Sequence, residues 1–153
     1  MKGASRFLIY AGILVLFVFV LLHALGVGVQ TYNIATGAWE NSIDWTQHGA
    51  LKMSIVIGRA LSTAVLVVMF AIFMSNLFRS ESGPFVRANS KLLFWSLLPY
   101  LIYALCDSNL LVISGARYIQ IDTHTILGGG LLLLVAFIYN RAVSLSEEND
   151  LTI

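Results

Sequence analysis

Two ionisable residues of opposite charge, Arg59 and Asp107, lie inside long apolar runs of this sequence. An ionisable side chain within a membrane span is costly, so each one requires a partner or a purpose. Arg59 is about five residues from the outer end of its run, and Asp107 is about seven from the outer end of its own. At ~1.5 Å per residue, both lie about 7 to 12 Å below the same membrane border. We therefore predict an Arg59–Asp107 ion pair that faces the interior of a helical bundle.

Further polar side chains lie near this depth: His23 of the first run at the same depth, Asn109 one turn from Asp107, and His124 just above it where the last run begins. We call Arg59, Asp107, His23, Asn109 and His124 the outer polar layer. In one interpretation the layer only holds the helices together, or Arg59 extends its head to the interface. In the other it forms a vestibule open to the outside, where Arg59 and Asp107 exchange partners when a ligand, proton or ion binds.

Other chemistry has less support. His23 and His124 nearly meet the requirement that haem ligands in a bundle lie at one depth, and zinc could use these two with His48 and Asp122. However, the chain has only 3 histidines, and none has the local spacing of a metal motif. The single cysteine, Cys106, excludes an internal disulfide and has no adjacent base. We predict no metal, no cofactor and no enzymatic activity.

The composition indicates a membrane protein. Of 153 residues, 58% are hydrophobic and only 11% are charged, with a net charge of +1. Soluble domains carry about a quarter charged residues, and disordered chains are poor in apolar ones. A nearly neutral chain also offers no basic face for direct nucleic-acid binding.

The elements that position the polar layer are four apolar runs of about 19 to 26 residues each. Crossing ~30 Å of hydrocarbon takes ~20 helical residues. We predict an all-α integral membrane four-helix bundle, formed by one domain over residues 1–153 with an uncleaved first helix and a cytoplasmic tail at 144–153. The predicted spans are about 7–29, 53–78, 92–114 and 125–143.

Basic residues set the predicted orientation, because they concentrate in cytoplasmic loops. Both termini are predicted to be cytoplasmic. One side would hold Lys2, Arg6, Arg79, Arg87, Lys91 and Arg141, against Lys52 and Arg117 on the other side with Arg59 just inside the membrane.

Glycine residues occur within two of the apolar runs. Gly128, Gly129 and Gly130 lie inside the fourth, and Gly58 stands four residues before Ser62 in the second. Small residues let membrane helices approach closely, whereas a glycine run can also loosen a helix. Close packing and a hinge for the vestibule are both open interpretations of Gly128–Gly130.

The C-terminal tail is acidic with apolar residues beside the charges. It is either a solvated end or a segment that docks on the basic inner loop or on a cytoplasmic partner. The candidate docking residues are Phe85, Arg87, Glu147, Glu148, Asp150 and Leu151.

Two motifs carry a family resemblance. The inner loop reads Gly83-Pro84-Phe85, followed by Arg87, Asn89 and Lys91, and the chain ends Glu148-Asn-Asp-Leu-Thr-Ile153. With four predicted spans, this chain resembles the bacterial domain-of-unknown-function family 2975 over nearly its whole length. Val86 stands where a serine is common, so no helix-capping role is carried over to that position.

The resemblance implies a four-helix bundle in the bacterial inner membrane. Members are often encoded beside a small helix-turn-helix regulator, which implies a non-enzymatic sensor or modulator that partners such a regulator. The alternative is a small transporter, exporter or immunity protein that works as a homo-oligomer around the outer polar layer.

Overall fold

In the described part of the chain, all regular secondary structure is helical. The computed structural model describes residues 3–38, 43, 45–79, 86–113 and 119–150. Its helices are α1 (Gly3–Thr36), α2 (Gly49–Arg79), α3 (Arg87–Ser108), α4 (Leu110–Ile113) and α5 (Thr123–Asp150).

Three of these helices are long and apolar enough to cross a membrane: Leu14–Thr36 of α1, Gly49–Arg79 of α2 and Thr123–Glu148 of α5. Their outward faces carry large apolar side chains, for example Phe19 at 72% exposure. Such continuous exposed apolar surface is unusual for a protein in water and is typical of one in lipid. The chain thus has the helices of a membrane protein.

Most helices extend beyond the apolar windows predicted from the sequence. The first helix reaches Thr36, and the last continues to Asp150, so most of the predicted tail is helical. In contrast, the predicted 92–114 run is divided at Asn109 into α3 and the short α4. Hydropathy marks where lipid contact ends, whereas a helix continues until a capping residue stops it.

Local signals explain several of these ends. Gly37 has φ +72° directly after α1, the left-handed conformation in which glycine commonly terminates a helix. At the start of α5, Asp122 Oδ1 accepts a hydrogen bond from the His124 N–H at 3.4 Å. Val86 provides no side-chain cap for α3, and its own N–H instead donates to the Tyr139 hydroxyl at 3.0 Å.

Helix α3 is the central element, because it packs against both α2 and α5, while α1 packs against α2. Two side-chain hydrogen bonds fix its register on α5: Ser108 to Thr125 at 3.1 Å near one end, and Ser90 to Asn140 at 2.8 Å near the other. The two helices are therefore antiparallel and in contact along nearly all of α3.

A small apolar core closes the predicted outer end. It joins α1, α2 and α4 through the buried residues Ile34, Ile55, Val56, Val112 and Ile113. The outer polar layer begins about one turn below this core, at Arg59 of α2.

Candidate functional site

The predicted ion pair is present. Arg59 Nε donates to Asp107 Oδ1 at 2.7 Å, joining α2 to α3. The Arg59 side chain is 6% exposed and that of Asp107 is 41% exposed. The cation is thus buried between helices, while its counter-charge faces partly outward. This asymmetry leaves the carboxylate accessible to a further group.

Arg59 also has an unused donor. Its Nη1 atom is buried and has no hydrogen-bond partner in the part of the chain that the structure describes. A guanidinium carries five N–H donors, and a buried donor left unpaired costs about 1 to 3 kcal/mol, more when the group is charged. The pair is therefore held in place but not fully satisfied.

Tyr103 connects this pair to α1. Its hydroxyl lies 2.7 Å from His23 Nε2, and the two rings meet edge to face at 5.5 Å between centroids. Tyr103 lies one helical turn before Asp107, near enough to both charges of the ion pair for them to act on its hydroxyl electrostatically. His23 thus reaches the ion pair through Tyr103, so that three helices contribute to one polar cluster. We call it the outer polar cluster: His23, Arg59, Tyr103 and Asp107.

Tyr103 was not among the residues predicted from the sequence. The available signal was its spacing, since Tyr103 lies four residues before Asp107 and thus on the same helix face. The predicted span holds two tyrosines, Tyr100 and Tyr103, and a tyrosine in an apolar span is easily taken for an interfacial aromatic residue, which hides this role.

Asn109 stabilises the segment between α3 and α5 rather than the ion pair. Its side-chain amide donates to the carbonyls of Leu105 and Gln120, each at 2.7 Å, and its Oδ1 accepts from the Gln120 N–H at 2.7 Å. Asn109 is 4% exposed. It therefore ends α3 and fixes the segment that precedes α5.

His124 is exposed at the start of α5. Within the described residues its hydrogen bond is the backbone one to Asp122, and none joins its ring to Arg59 or Asp107. The structure therefore brings together His23, Arg59 and Asp107 of the outer polar layer, with Tyr103 added, and does not join Asn109 or His124 to them by a hydrogen bond.

Glycines let α3 approach both neighbours. A Cβ atom on Gly58 would lie 2.9 Å from Cys106 Sγ, and one on Gly128 would lie 1.7 Å from the Tyr100 hydroxyl oxygen. Gly130 has nothing within 4 Å of such an atom. Close packing thus explains Gly58 and Gly128, but not Gly130.

A second polar cluster lies at the opposite end of α3 and was not predicted; we call it the inner polar cluster, after the side of the membrane predicted for that end. Asn89 is fully buried; its Nδ2 donates to the Phe73 carbonyl at 3.1 Å, and its Oδ1 accepts from Asn76 at 2.8 Å. Ser90 donates to Asn140 at 2.8 Å. These four polar side chains tie α2, α3 and α5 together. Uncharged residues near a loop give little warning of such a role in the sequence.

One contact between the predicted docking residues is visible. Arg87 at the start of α3 forms a two-point ion pair with Glu147 in α5, with Nε donating to Oε1 at 2.9 Å and Nη2 to Oε2. Both side chains are exposed, and the hydrogen bond to Glu147 raises the pKa of the Arg87 guanidinium above its usual value. Glu148 is exposed and has an interaction of its own. Phe85, Leu151 and the Asp150 side chain lie outside the described residues.

Metal-ligating side chains do not gather in the described ranges: no group of three or more His, Cys, Asp or Glu residues stands close enough to hold an ion. The polar clusters are instead made of hydrogen-bonding and ion-pairing groups on facing helices. The class that fold and clusters define is an all-helical protein with helices of membrane-spanning length and buried polar contacts between them.

No protein-family model matches this chain, and no curated protein or solved structure is significantly similar to it.

Proposed function

We propose that this chain is a bacterial inner-membrane protein with four spans and both termini in the cytoplasm. Support for α3 as a span comes from its register on α5. The two helices are paired from Ser108 with Thr125 at one end to Arg87 with Glu147 at the other. A helix packed along the length of a membrane-spanning helix lies at the same depth in the membrane. If α5 crosses the membrane, α3 therefore crosses it too.

The register on α2 supports the same proposal. Asp107 of α3 pairs with Arg59, and Asn89 pairs with Asn76, so α3 runs beside the apolar part of α2. Its 22 residues, at ~1.5 Å each, are long enough for ~30 Å of hydrocarbon. Two polar residues, Asn89 and Asp107, and one proline lower its apolarity, and each of the two polar residues pairs with a side chain of α2.

For activity, we propose a non-enzymatic sensor or modulator that acts on a small helix-turn-helix regulator. The observation that carries this proposal is the Arg87–Glu147 ion pair. It joins the start of α3 to the end of α5 on the side predicted to face the cytoplasm. An exposed ion pair contributes little stability, since such pairs are worth about 0 to 1 kcal/mol. It is therefore easily exchanged for charged groups of a partner.

A pull-down tests this activity. Solubilised chain is used as bait for a small helix-turn-helix regulator of the kind encoded beside members of the resembled family, with wild type compared to Glu147→Gln and to deletion of residues 147–153. We expect both changes to alter capture while the chain still inserts into the membrane. Arg141→Gln is the matched control, because it removes an exposed charge of α5 outside the ion pair. Equal capture by all variants would remove the tail from the mechanism.

The second candidate is a small transporter, exporter or immunity protein that uses the outer polar cluster. It is favoured by the half-exposed Asp107 carboxylate and by the unpaired Nη1 donor of Arg59. A cluster that served only to hold helices together would be expected to satisfy its donors. Ligand-dependent uptake or efflux in vesicles, lost in Asp107→Asn, would favour this candidate over the first.

A further inference from the structure

One face of α3 carries exposed side chains in a regular order. The positions are spaced by three or four residues, so they form a single stripe along the helix. From the predicted cytoplasmic end, two cations come first, then an indole, then aliphatic side chains. The Trp95 side chain is 70% exposed and that of Leu98 is 60% exposed. We call this surface the α3 stripe: Arg87, Lys91, Trp95, Leu98, Ile102 and Leu105.

This order matches the layers of one membrane leaflet. Arginine and lysine favour the phosphate level, tryptophan the interface, and aliphatic side chains the hydrocarbon. Successive members four residues apart are separated by about 6 Å along the axis. Arg87 and Lys91 can therefore contact one headgroup while Trp95 lies beside the start of its acyl chains.

We propose that the α3 stripe is a binding site for an anionic phospholipid. Arg87 and Lys91 would hold the phosphate, and Leu98 and Ile102 would pack along an acyl chain. The choice of an anionic lipid rests on charge: two exposed cations stand one turn apart, and the stripe itself carries no acidic residue. The site rests on the proposed membrane insertion of α3.

Glu147 competes with a lipid phosphate for Arg87 in this site. It already occupies two donors of Arg87, and both side chains are exposed. A lipid phosphate takes the same paired donors that a carboxylate takes, so the two acceptors compete. Lipid binding therefore releases Glu147 and the end of α5, and this couples the composition of the leaflet to the tail.

Fluorescence quenching tests the site. The chain has 3 tryptophans, so Trp39→Phe with Trp45→Phe leaves Trp95 as the single reporter. This variant is reconstituted into phosphatidylcholine vesicles that contain a minor fraction of either dibrominated phosphatidylglycerol or dibrominated phosphatidylcholine. Bromine quenches only nearby indoles. We expect stronger quenching by the phosphatidylglycerol probe.

Charge variants assign the preference to the stripe. Lys91→Gln should lower the preference for phosphatidylglycerol about fivefold, because a basic residue at an anionic surface is worth about 1 kcal/mol. Glu147→Gln should raise the preference by freeing Arg87. Arg141→Gln, in α5 and outside the stripe, should leave it unchanged.

The two possible failures differ. Equal quenching by both probes overturns the lipid site but leaves membrane insertion intact. No quenching by either probe means that Trp95 does not face lipid, which overturns the insertion of α3 as well. A preference that Lys91→Gln and Arg141→Gln reduce equally reflects general surface charge and also overturns the site.

Discussion

Arg59 of α2 and Asp107 of α3 form an ion pair in which the cation is buried and the anion is half-exposed. Loss of Asp107 should therefore cost more stability than loss of Arg59. An unpaired buried charge is costly, whereas an exposed one is hydrated or reaches the interface. The variants of this pair follow from that asymmetry.

Asp107→Asn should destabilise the protein strongly. It leaves the Arg59 guanidinium buried without a counter-charge, and breaking a buried pair in this way costs about 3 kcal/mol or more. The measurement is thermal unfolding in detergent. Arg59→Gln combined with Asp107→Asn should be more stable than Asp107→Asn alone. If Asp107→Asn unfolds at the wild-type temperature, the pair contributes nothing to stability.

Tyr103→Phe should weaken the connection between α1 and α3. The change removes the hydroxyl that contacts His23 at 2.7 Å, at an expected cost of about 1 kcal/mol. In a double-mutant cycle, His23→Ala and Tyr103→Phe should cost less together than the sum of their separate effects. Tyr32→Phe, at a tyrosine that is 67% exposed, is the control. Strict additivity would contradict the proposed coupling.

Gly128→Ala and Gly130→Ala should differ although both glycines lie in one helix. The new Cβ of Gly128→Ala would meet the Tyr100 hydroxyl oxygen at 1.7 Å, whereas that of Gly130→Ala has open space. We expect Gly128→Ala to cost about 1 to 3 kcal/mol through displacement of α3, and Gly130→Ala to be neutral or stabilising. Comparison of their unfolding temperatures checks this. Equal effects would mean that α3 and α5 are not packed at this level.

Asn89→Leu should be more harmful than its apolar character suggests. Asn89 is fully buried and joins the Asn76 side chain to the Phe73 carbonyl, so the change removes two hydrogen bonds and leaves the half-buried Asn76 amide without this partner. The expected loss is about 1 to 3 kcal/mol. Ala88→Leu, at the exposed neighbouring position, is the control. If the two variants have the same unfolding temperature, the inner polar cluster contributes nothing to stability.

The sequence was informative where a residue was chemically out of place. A charge within an apolar run has few possible partners, and that restriction led to the Arg59–Asp107 pair. The limits appear at Asn109, whose side chain bonds to nearby backbone groups, and at His124, whose backbone N–H donates to the Asp122 carboxylate. Depth along a helix can be counted from the sequence, whereas the direction of a side chain and its local alternatives cannot.

The inner polar cluster shows the second limit. Asn76, Asn89 and Ser90 are uncharged residues near the ends of apolar runs, where polar residues are ordinary. Only the register between helices shows that they meet. The helix ends were missed for a related reason, because the caps at Gly37 and Asp122 lie outside the apolar windows.

The membrane topology of the chain tests the four-span arrangement most directly. An even number of spans places both termini on the same side of the membrane, and an odd number places them on opposite sides. Green fluorescent protein and alkaline phosphatase are fused in turn after Asp150 and at the N-terminus, and a third fusion site is placed at Gln120, between α4 and α5. With four spans, both terminal fusions are cytoplasmic, so at either terminus the fluorescent protein fluoresces and the phosphatase is inactive. The phosphatase fused at Gln120 lies on the opposite side and is active. If α3 does not cross, only α1, α2 and α5 span the membrane. The two termini would then report opposite sides, and that result would contradict the four-span arrangement.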